Sequence, residues 1–337
     1  MSPDHAKGAV GAVFAKKYRK EKDLMKAHNN IKGSLILGFA ALIWGLAFVV
    51  QSALADKVPP FLLNSLRSFI SVLFLCGVLW INKLRTKKEI FPKEKTELRR
   101  VLLGGLICGL LLTLSVNLQQ FGLMYYPSGV AAEARGGFLT SLYVILVPVF
   151  SIFLGKKLQP QVIAAVLLAI GGIYLLCVSD SFGGIYLGDV FVLLCALSFT
   201  FHILTVSHIA QGIDGILLSA MQFFVCGVLS GVLTLIFEDA VWSVIPSVMP
   251  ELLYMGVLSS GIGYTLQIVG QKYAEPTVAS ISMSLESVFA ALGGWIIAGN
   301  TLSTRELGGC ALVFTAIILA QLPRIRRRKR SDETVAE

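Results

Sequence analysis

Hydrophobic residues along this chain do not recur at helical or strand spacing. They arrive in continuous blocks of roughly 20 residues, the length at which a helix crosses a hydrocarbon core of ~30 Å. Barrel strands would be shorter and would alternate apolar with polar positions. Helices meet their own backbone hydrogen-bonding needs in lipid, so the pattern predicts membrane helices over 33–53, 60–81, 101–123, 129–152, 161–178, 187–206, 214–236, 251–271, 277–298 and 306–322. The connections are short except 82–100 and 237–250.

Charge tests this count. With the N-terminus in the cytoplasm, 25 of the 29 Lys and Arg fall in inside segments: a basic N-terminal tail (1–32), connections such as 82–100, and a basic C-terminal tail (323–337). The outside connections hold Lys57 and Arg305, while Arg67 and Arg135 lie within helices. Lys and Arg favour the cytoplasmic side of a membrane, so the distribution predicts a multi-pass protein of the cytoplasmic (plasma or inner) membrane with both termini cytoplasmic. The tails read as topology anchors, disordered or lying as a surface helix on anionic lipid. Charged residues make up 15% of the chain, against about 25% in soluble proteins. The net charge of +9 sits in the tails and one loop, which argues against a nucleic-acid partner. Six cysteines all fall within apolar blocks without a Cys-x-x-Cys pair, and read as small buried hydrophobes. Ala53-Leu54-Ala55 is similar to a signal-peptide cleavage site, but the apolar run Gly33–Val50 is longer than such a leader needs and more spans follow.

An internal repeat divides the chain. Leu118-Gln119-x-x-Gly122-x-x-Tyr125-x-x-x-x-Val130-Ala131 matches Leu266-Gln267-x-x-Gly270-x-x-Tyr273-x-x-x-x-Val278-Ala279 without a gap. It relates the third and fourth spans to the eighth and ninth. Five spans per repeat is an odd number, so the halves 33–178 and 187–322 have opposite orientation. The expected fold is therefore all-α and polytopic, ten transmembrane helices as two inverted five-helix repeats. Secondary transporters are often built this way, with the substrate near the midplane between the halves.

Several motifs carry a family resemblance: Ala41-Leu42-Ile43-Trp44-Gly45, Arg67, Gly137-Phe138-Leu139-Thr140-Ser141-Leu142-Tyr143, Gly188-Asp189, Gly256-Val257-Leu258-Ser259-Ser260-Gly261, Tyr264-Thr265-Leu266-Gln267, Gln271-Lys272-Tyr273-Ala274 and Leu285-Glu286-Ser287-Val288-Phe289-Ala290. In order and spacing they resemble the EamA family of the drug/metabolite transporter superfamily, over residues 33–322. The resemblance implies ten helices, cytoplasmic termini and export of small metabolites by alternating access. There are departures. Glu286-Ser287 stands where the family often has Glu-Pro, and Gly155-Lys156 and Gly299-Asn300 where it often has Gly-Glu. Without the proline, the ninth span is expected to run straighter.

A charge at the bilayer centre is costly, ~2.5–3.5 kcal/mol on the insertion scale, which directs attention to Arg67, Glu133, Arg135, His202 and Glu286. Glu286 falls near mid-membrane in Ser282-x-Ser284-x-Glu286. Low dielectric disfavours its charged form, so it reads either as a carboxylate that exchanges protons and couples transport to the proton gradient, or as a structural hydrogen-bond partner. Arg135 is expected to face a cavity, where its forked donors suit a substrate carboxylate; snorkelling is the alternative. Arg67 reads first as an anchor that caps a neighbouring helix or snorkels, with substrate contact as the alternative, and Glu133 lies nearer the surface. His202 reads as a packed histidine or a proton relay. Asn117, Gln119, Gln120, Gln222 and Gln267 form a polar set, with Gln119 and Gln267 at equivalent repeat positions facing a central cavity. Interhelical hydrogen bonds are the alternative. Trp44, Tyr143 and Tyr264 are expected to line that cavity, with Trp242 and Trp295 in the interfacial belt. Gly105-x-x-x-Gly109 and Gly227-x-x-x-Gly231 predict close helix packing.

The expected substrate-contacting set is Trp44, Asn117, Gln119, Arg135, Tyr143, His202, Tyr264, Gln267, Ser282 and Glu286. The partners expected are a small polar or amphipathic, amino-acid-like solute, the lipid bilayer and a coupling proton, with the protein a monomer or homodimer. An importer or other carrier on the same fold is the second reading, because sequence does not set the direction of flux. An intramembrane enzyme would need a catalytic constellation, and no His-Glu-x-x-His, Gly-x-Ser-x-Gly or paired intramembrane aspartates are present. A receptor would need an extramembrane domain. No metal or cofactor motif is visible.

Overall fold

The computed structural model describes residues 3–127, 132–177, 185–298 and 304–321, and all regular structure in them is helical. In chain order the elements are α1 (Pro3–Ala55), α2 (Pro60–Thr86), α3 (Lys95–Met124), α4 (Ala132–Thr140), α5 (Tyr143–Phe153), α6 (Pro160–Cys177), α7 (Leu187–Ile209) and α8 (Gly215–Phe237). A 3-10 segment (Trp242–Val248), α9 (Met249–Leu253), a π-helical stretch (Tyr254–Gly263) and α10 (Tyr264–Gln271) follow, then α11 (Pro276–Met283), α12 (Leu285–Ala298) and α13 (Thr304–Gln321). Among the described residues, seven helical stretches are long and apolar enough to cross a membrane, and Pro160–Gly172 and Leu307–Ala320 are shorter apolar helices. The outer surface is apolar: Leu73, Phe153 and Leu235 are 74%, 80% and 83% exposed. A soluble monomer rarely shows so much contiguous apolar surface; lipid is its natural solvent.

Helix ends follow local chemistry. Pro60, Pro160 and Pro276 open α2, α6 and α11, where a missing N–H costs nothing and φ is already helical. The Asp214 carboxylate accepts from the amides of Ile216 and Leu217 at 2.9 and 3.0 Å, capping α8. The N-terminus of α2 is capped from a distance. Glu238, just past α8, accepts from the amides of Phe61 and Leu62 at 2.8 and 2.9 Å. Its negative charge also meets the positive end of the helix dipole.

The structure departs from the expected straight spans in four places. The basic N-terminal tail, from Pro3, is helical and continuous with the first span; its Ala, Lys and Glu residues are strong helix formers. The fourth span is interrupted at Ser141 and Leu142, between α4 and α5. There the backbone tightens to bonds three residues apart: Leu142 to Leu139, Val144 to Ser141 and Ile145 to Leu142. The ninth span is interrupted at Ser284, between α11 and α12, which overturns the straight helix expected without proline. Serines supply the break. The hydroxyls of Ser280, Ser282 and Ser284 bond back to the carbonyls of Thr277, Val278 and Ile281 and compete with the helix for its own acceptors. The eighth span loosens into π-helix over Tyr254–Gly263, a geometry frequent at functional sites.

Tertiary packing pairs α2 with α8, α6 with α13, α3 with α7 and α8, and α1 with α10 and α12. Gly105 and Gly109 seat α3 on α8: a Cβ at either position would lie 2.5 Å from the Cβ of Met221 or Val225, closer than two carbons can stand. The central apolar cluster gathers Leu112, Phe199, Ile203, Phe223, Tyr264 and Met283 from different helices.

Arg135 corrects an expectation. It forms a bidentate pair with Asp189 at the start of α7, Nε to Oδ1 and Nη2 to Oδ2, both 2.6 Å. Tyr126 OH and the Tyr186 amide also donate to Asp189, each at 2.9 Å, and the guanidinium lies 4.7 Å from the centre of the Tyr186 ring. A forked cation so fully engaged serves as a clamp between α4 and α7, not as a cavity group. The C-terminal tail 323–337, the segment holding Val130-Ala131, Asn300 and the side chain of Trp295 lie outside the described residues.

Two stability predictions arise. Asp189→Asn removes the counter-charge of buried Arg135 and should cost about 3 kcal/mol, read as the unfolding midpoint of purified protein titrated from mild detergent into dodecyl sulfate. An unchanged midpoint would mean the clamp carries no stability. Glu238→Ala should cost about 1 kcal/mol through the lost cap, whereas Asp239→Ala, on its exposed neighbour, should leave the same midpoint in place.

Candidate functional site

The two helix breaks meet. Ser141, at the α4–α5 interruption, lies with its Oγ 2.6 Å from Ser287 Oγ in the first turn of α12. Tyr143, the first residue of α5, donates its hydroxyl to Glu286 Oε1 at 2.9 Å, and Ser141 Oγ reaches the same oxygen at 3.5 Å. Glu286 thus stands in the first turn of a half-helix, where the positive end of the dipole favours a carboxylate. α1 crosses directly beside it. A Cβ on Gly45 would lie 2.7 Å from the Glu286 carbonyl and 2.5 Å from Phe289 Cβ, so only glycine permits this approach.

Around this junction lies a cavity lined by Trp44, Phe48, Gln51, Arg67, Gln119, Thr140, Tyr143, Phe199, Ile203, Ser259, Tyr264, Gln267, Met283 and Glu286. Its volume is about 40 Å³, room for a few waters. Trp44 and Tyr264 pack against each other with ring centres 4.8 Å apart and planes tilted by 58°. The Trp44 indole N–H donates to the Ser259 carbonyl at 3.1 Å, in the π-helical stretch, and its ring fills the space beside Gly263. The irregular backbone of the eighth span is thereby used to seat an aromatic wall.

Of the residues singled out from sequence, Trp44, Gln119, Tyr143, Tyr264, Gln267 and Glu286 line this cavity. Gln119 and Gln267, the repeat-related pair, both reach it, and Gln119 donates to Thr140 at 3.4 Å. Asn117 does not line it. It belongs to a packed network, accepting from Asn64 at 2.9 Å and donating to Ser230 and to the Thr113 carbonyl at 2.9 and 2.8 Å. Asn117 thus ties α3 to α2 and α8, because buried amides take the nearest partners. His202 is buried behind the wall, 3.1 Å from Gln222 Oε1 and edge-on to Tyr264. Ser282 bonds Ser34 of α1 and the Val278 carbonyl at 2.7 and 2.8 Å, holding α11 to α1. Arg135 lies in its clamp. Glu133 accepts from Ser52 at 3.3 Å.

Arg67 falls where the second of its two readings from sequence would put it. It is 2% exposed and lines the cavity instead of snorkelling or capping a helix. No hydrogen bond or ion pair to it is found among the described residues, and its Nε is buried without a partner. The signal was available: it sits in a run of small polar residues, Asn64, Ser65, Ser68 and Ser71, all buried, which marks an inward face of α2.

Comparison with known proteins agrees with this architecture. The chain matches the EamA-like transporter family over residues 31–178 and again over 186–322. It is 28% identical over 289 residues to an uncharacterized transporter of Archaeoglobus fulgidus, covering 85% of this chain and 84% of that one. It is 26% identical to the uncharacterized transporter YvbV of Bacillus subtilis, covering 88% of this chain and 93% of that one. A crystal structure described only as that of a protein superposes with a TM-score of 0.68 at 21% identity, over 86% of this chain and 96% of that chain, a likeness of fold. A multi-pass helical bundle, interrupted helices meeting at a polar cavity, and a family match repeated in both halves lead to one conclusion: this chain belongs to the EamA-like transporter family.

Proposed function

We propose that the chain exports a small polar or amphipathic metabolite across the cytoplasmic membrane as a secondary active transporter, by alternating access at the central cavity. The observation that carries this reading is the meeting of two interrupted helices, at Ser141–Leu142 and Ser284, around a cavity that holds Glu286 and Arg67. Discontinuous helices near the midplane are the usual site-builders of such carriers. The same reading has ten spans, in which α4 with α5, α9 with α10, and α11 with α12 each make one crossing.

An inverted two-repeat plan is supported by the pairing of helices. Taking α6, α7 and α13 as the fifth, sixth and tenth crossings, α2 packs on α8 and α6 on α13, each a repeat-related pair. The contacts of α3 with α7 are mirrored by those of α1 with α10, and both interruptions fall in repeat-related crossings. The family match in each half and the concentration of Lys and Arg in 1–32, 82–100 and 323–337 support opposed repeats with both termini cytoplasmic.

In this mechanism Glu286 is the coupling group. Its Oε1 accepts from Tyr143, while Oε2 makes no hydrogen bond among the described residues. Loss of the Tyr143 and Ser141 bonds as the half-helices separate would change the proton affinity of the carboxylate, tying protonation to the side on which the cavity opens.

Overexpression in bacteria with mass spectrometry of the medium tests this. A metabolite enriched by the wild-type protein and lost with Glu286→Gln is the expected result; equal enrichment by both would remove Glu286 from the coupling role, and no enrichment by the wild type, despite its presence in the membrane, would count against export. Gly45→Ala should reduce the same enrichment severalfold by holding α1 off the turn that carries Glu286, whereas Gly77→Ala, which meets nothing within 4 Å, should not.

A further inference from the structure

We propose that a groove on the outside of the bundle, where α3 and the ends of α5 and α7 meet the start of α11, binds one anionic phospholipid. Its phosphate sits on Lys156 and His208, and an acyl chain lies along the phenylalanines of α5 and α7. In the orientation proposed above, this is a lipid of the cytoplasmic leaflet.

The groove has a volume of about 740 Å³, against about 40 Å³ for the central cavity, and the two share no lining residue. That is ample for a small organic ligand. Most of its surface is apolar. Phe150 meets Phe201 edge-on with ring centres 4.9 Å apart, joining α5 to α7, and Ile107, Phe153 and Leu154 on its walls are exposed. In a bilayer such a surface is covered by acyl chains.

One rim of the groove is basic. Lys156 and His208 line it and no acidic side chain does; Lys157 follows in the same connection. Lys156 is held in place by its backbone. Gly155 closes α5 with φ +78°, and the Lys156 amide donates back to the Ser151 carbonyl at 3.0 Å, the six-to-one bond of a glycine-ended helix. The ion pairs among the described residues lie elsewhere, so its ammonium has no acid of the protein to answer. Gly155-Lys156 is also where the chain departs from the Gly-Glu of the family pattern, a reversal of charge at this rim.

Ser207 supplies an independent observation. It lines the groove, and its Oγ is buried without a partner. The hydroxyls of Thr113, Thr200, Thr234 and Ser282 bond to the carbonyl four residues back; that of Ser207 does not. An unmatched hydroxyl in an apolar setting is unfavourable, and a phosphate or ester oxygen of a lipid would accept from it.

Two other cavities lack this combination. The one beneath 82–100 sets Glu89, Glu97 and Asp214 beside Arg100, a lining that repels anions. The one between α1, α12 and α13 is apolar and carries no charge. A basic tail of the chain would be repelled by Lys156, and a free anion would leave the phenylalanines uncovered. An anionic phospholipid answers both ends of the groove: its phosphate meets a lysine, a common phosphate binder, at the level where anionic headgroups attract basic residues, and its chain covers the apolar wall.

The test is native mass spectrometry of the purified full-length protein in mild detergent, titrated with phosphatidylglycerol or with phosphatidylethanolamine of the same chains, and repeated with inorganic phosphate as competitor. The wild type should retain one phosphatidylglycerol and prefer it over phosphatidylethanolamine by roughly fivefold or more, the worth of one lysine at an anionic surface. Lys156→Gln should remove most of that preference and Lys156→Arg should keep it. Lys57→Gln, in the exposed connection between α1 and α2, should change nothing. Leu204→Trp, which fills the apolar bed, and Ser207→Ala should weaken both lipids alike. Lys156 is exposed, so its variants are expected to fold, and an unchanged unfolding midpoint verifies this. Equal retention of the two lipids by the wild type, or a preference that survives Lys156→Gln, would overturn the proposal. So would displacement of the lipid by phosphate, which would make this a site for free anions, or a dimer that Leu204→Trp dissociates, which would assign the groove to a second copy of the chain.

Discussion

Inside a bilayer no water stands ready to satisfy a polar group, so every hydrogen bond a helix gives up must be recovered from another part of the protein. The centre of this molecule is built on that constraint. Two spans lose helical continuity at Ser141–Leu142 and at Ser284, and they do so where they can serve each other. Ser141 meets Ser287 and Tyr143 meets Glu286, while the hydroxyls of the α11 serines absorb nearby carbonyls. Neither break would be tolerable facing lipid. Together they make a junction of polar side chains at which two half-helices begin.

The rest of the bundle is arranged to leave that junction accessible to a cavity while sealing its perimeter. Glycine at position 45 lets α1 lie against the turn of Glu286, and glycines at 105 and 109 draw α3 onto α8. The π-helical stretch of the eighth span spares the Ser259 carbonyl for the Trp44 indole. At one end, Asp189 gathers Arg135, Tyr126 and the Tyr186 amide; at the α2 terminus, Glu238 caps two amides. Buried Arg135 is neutralised by Asp189, whereas Arg67, which lines the cavity, has no hydrogen bond or ion pair among the described residues.

Much of the candidate site was legible before the structure. Trp44, Tyr143, Tyr264 and Glu286 were expected at a central cavity, and the repeat pair Gln119 and Gln267 pointed to one polar ring; all of them line the same opening. The errors share one cause. Arg135 and Arg67 are chemically identical groups inside apolar helices, and their roles depend on whether an acid lies opposite. Asp189, distant from Arg135 in sequence, supplies one, and nothing described supplies the other. Asn117 and Ser282 were likewise taken for cavity groups because they are polar within spans, yet each finds partners on an adjacent helix.

Sequence alone determined that this is a helical membrane protein and that it carries the motifs of a transporter family, because the lengths of apolar blocks and the placing of Lys and Arg answer to the bilayer, a solvent whose thickness and polarity are the same for every chain. Only the tertiary structure decided where two of the helices break, which glycines are points of contact, and which buried arginine is left without a counter-charge. Those outcomes depend on what stands across the bundle from each residue, and serine hydroxyls, carboxylates and guanidinium groups choose their partners by distance and direction, neither of which is written along a single helix.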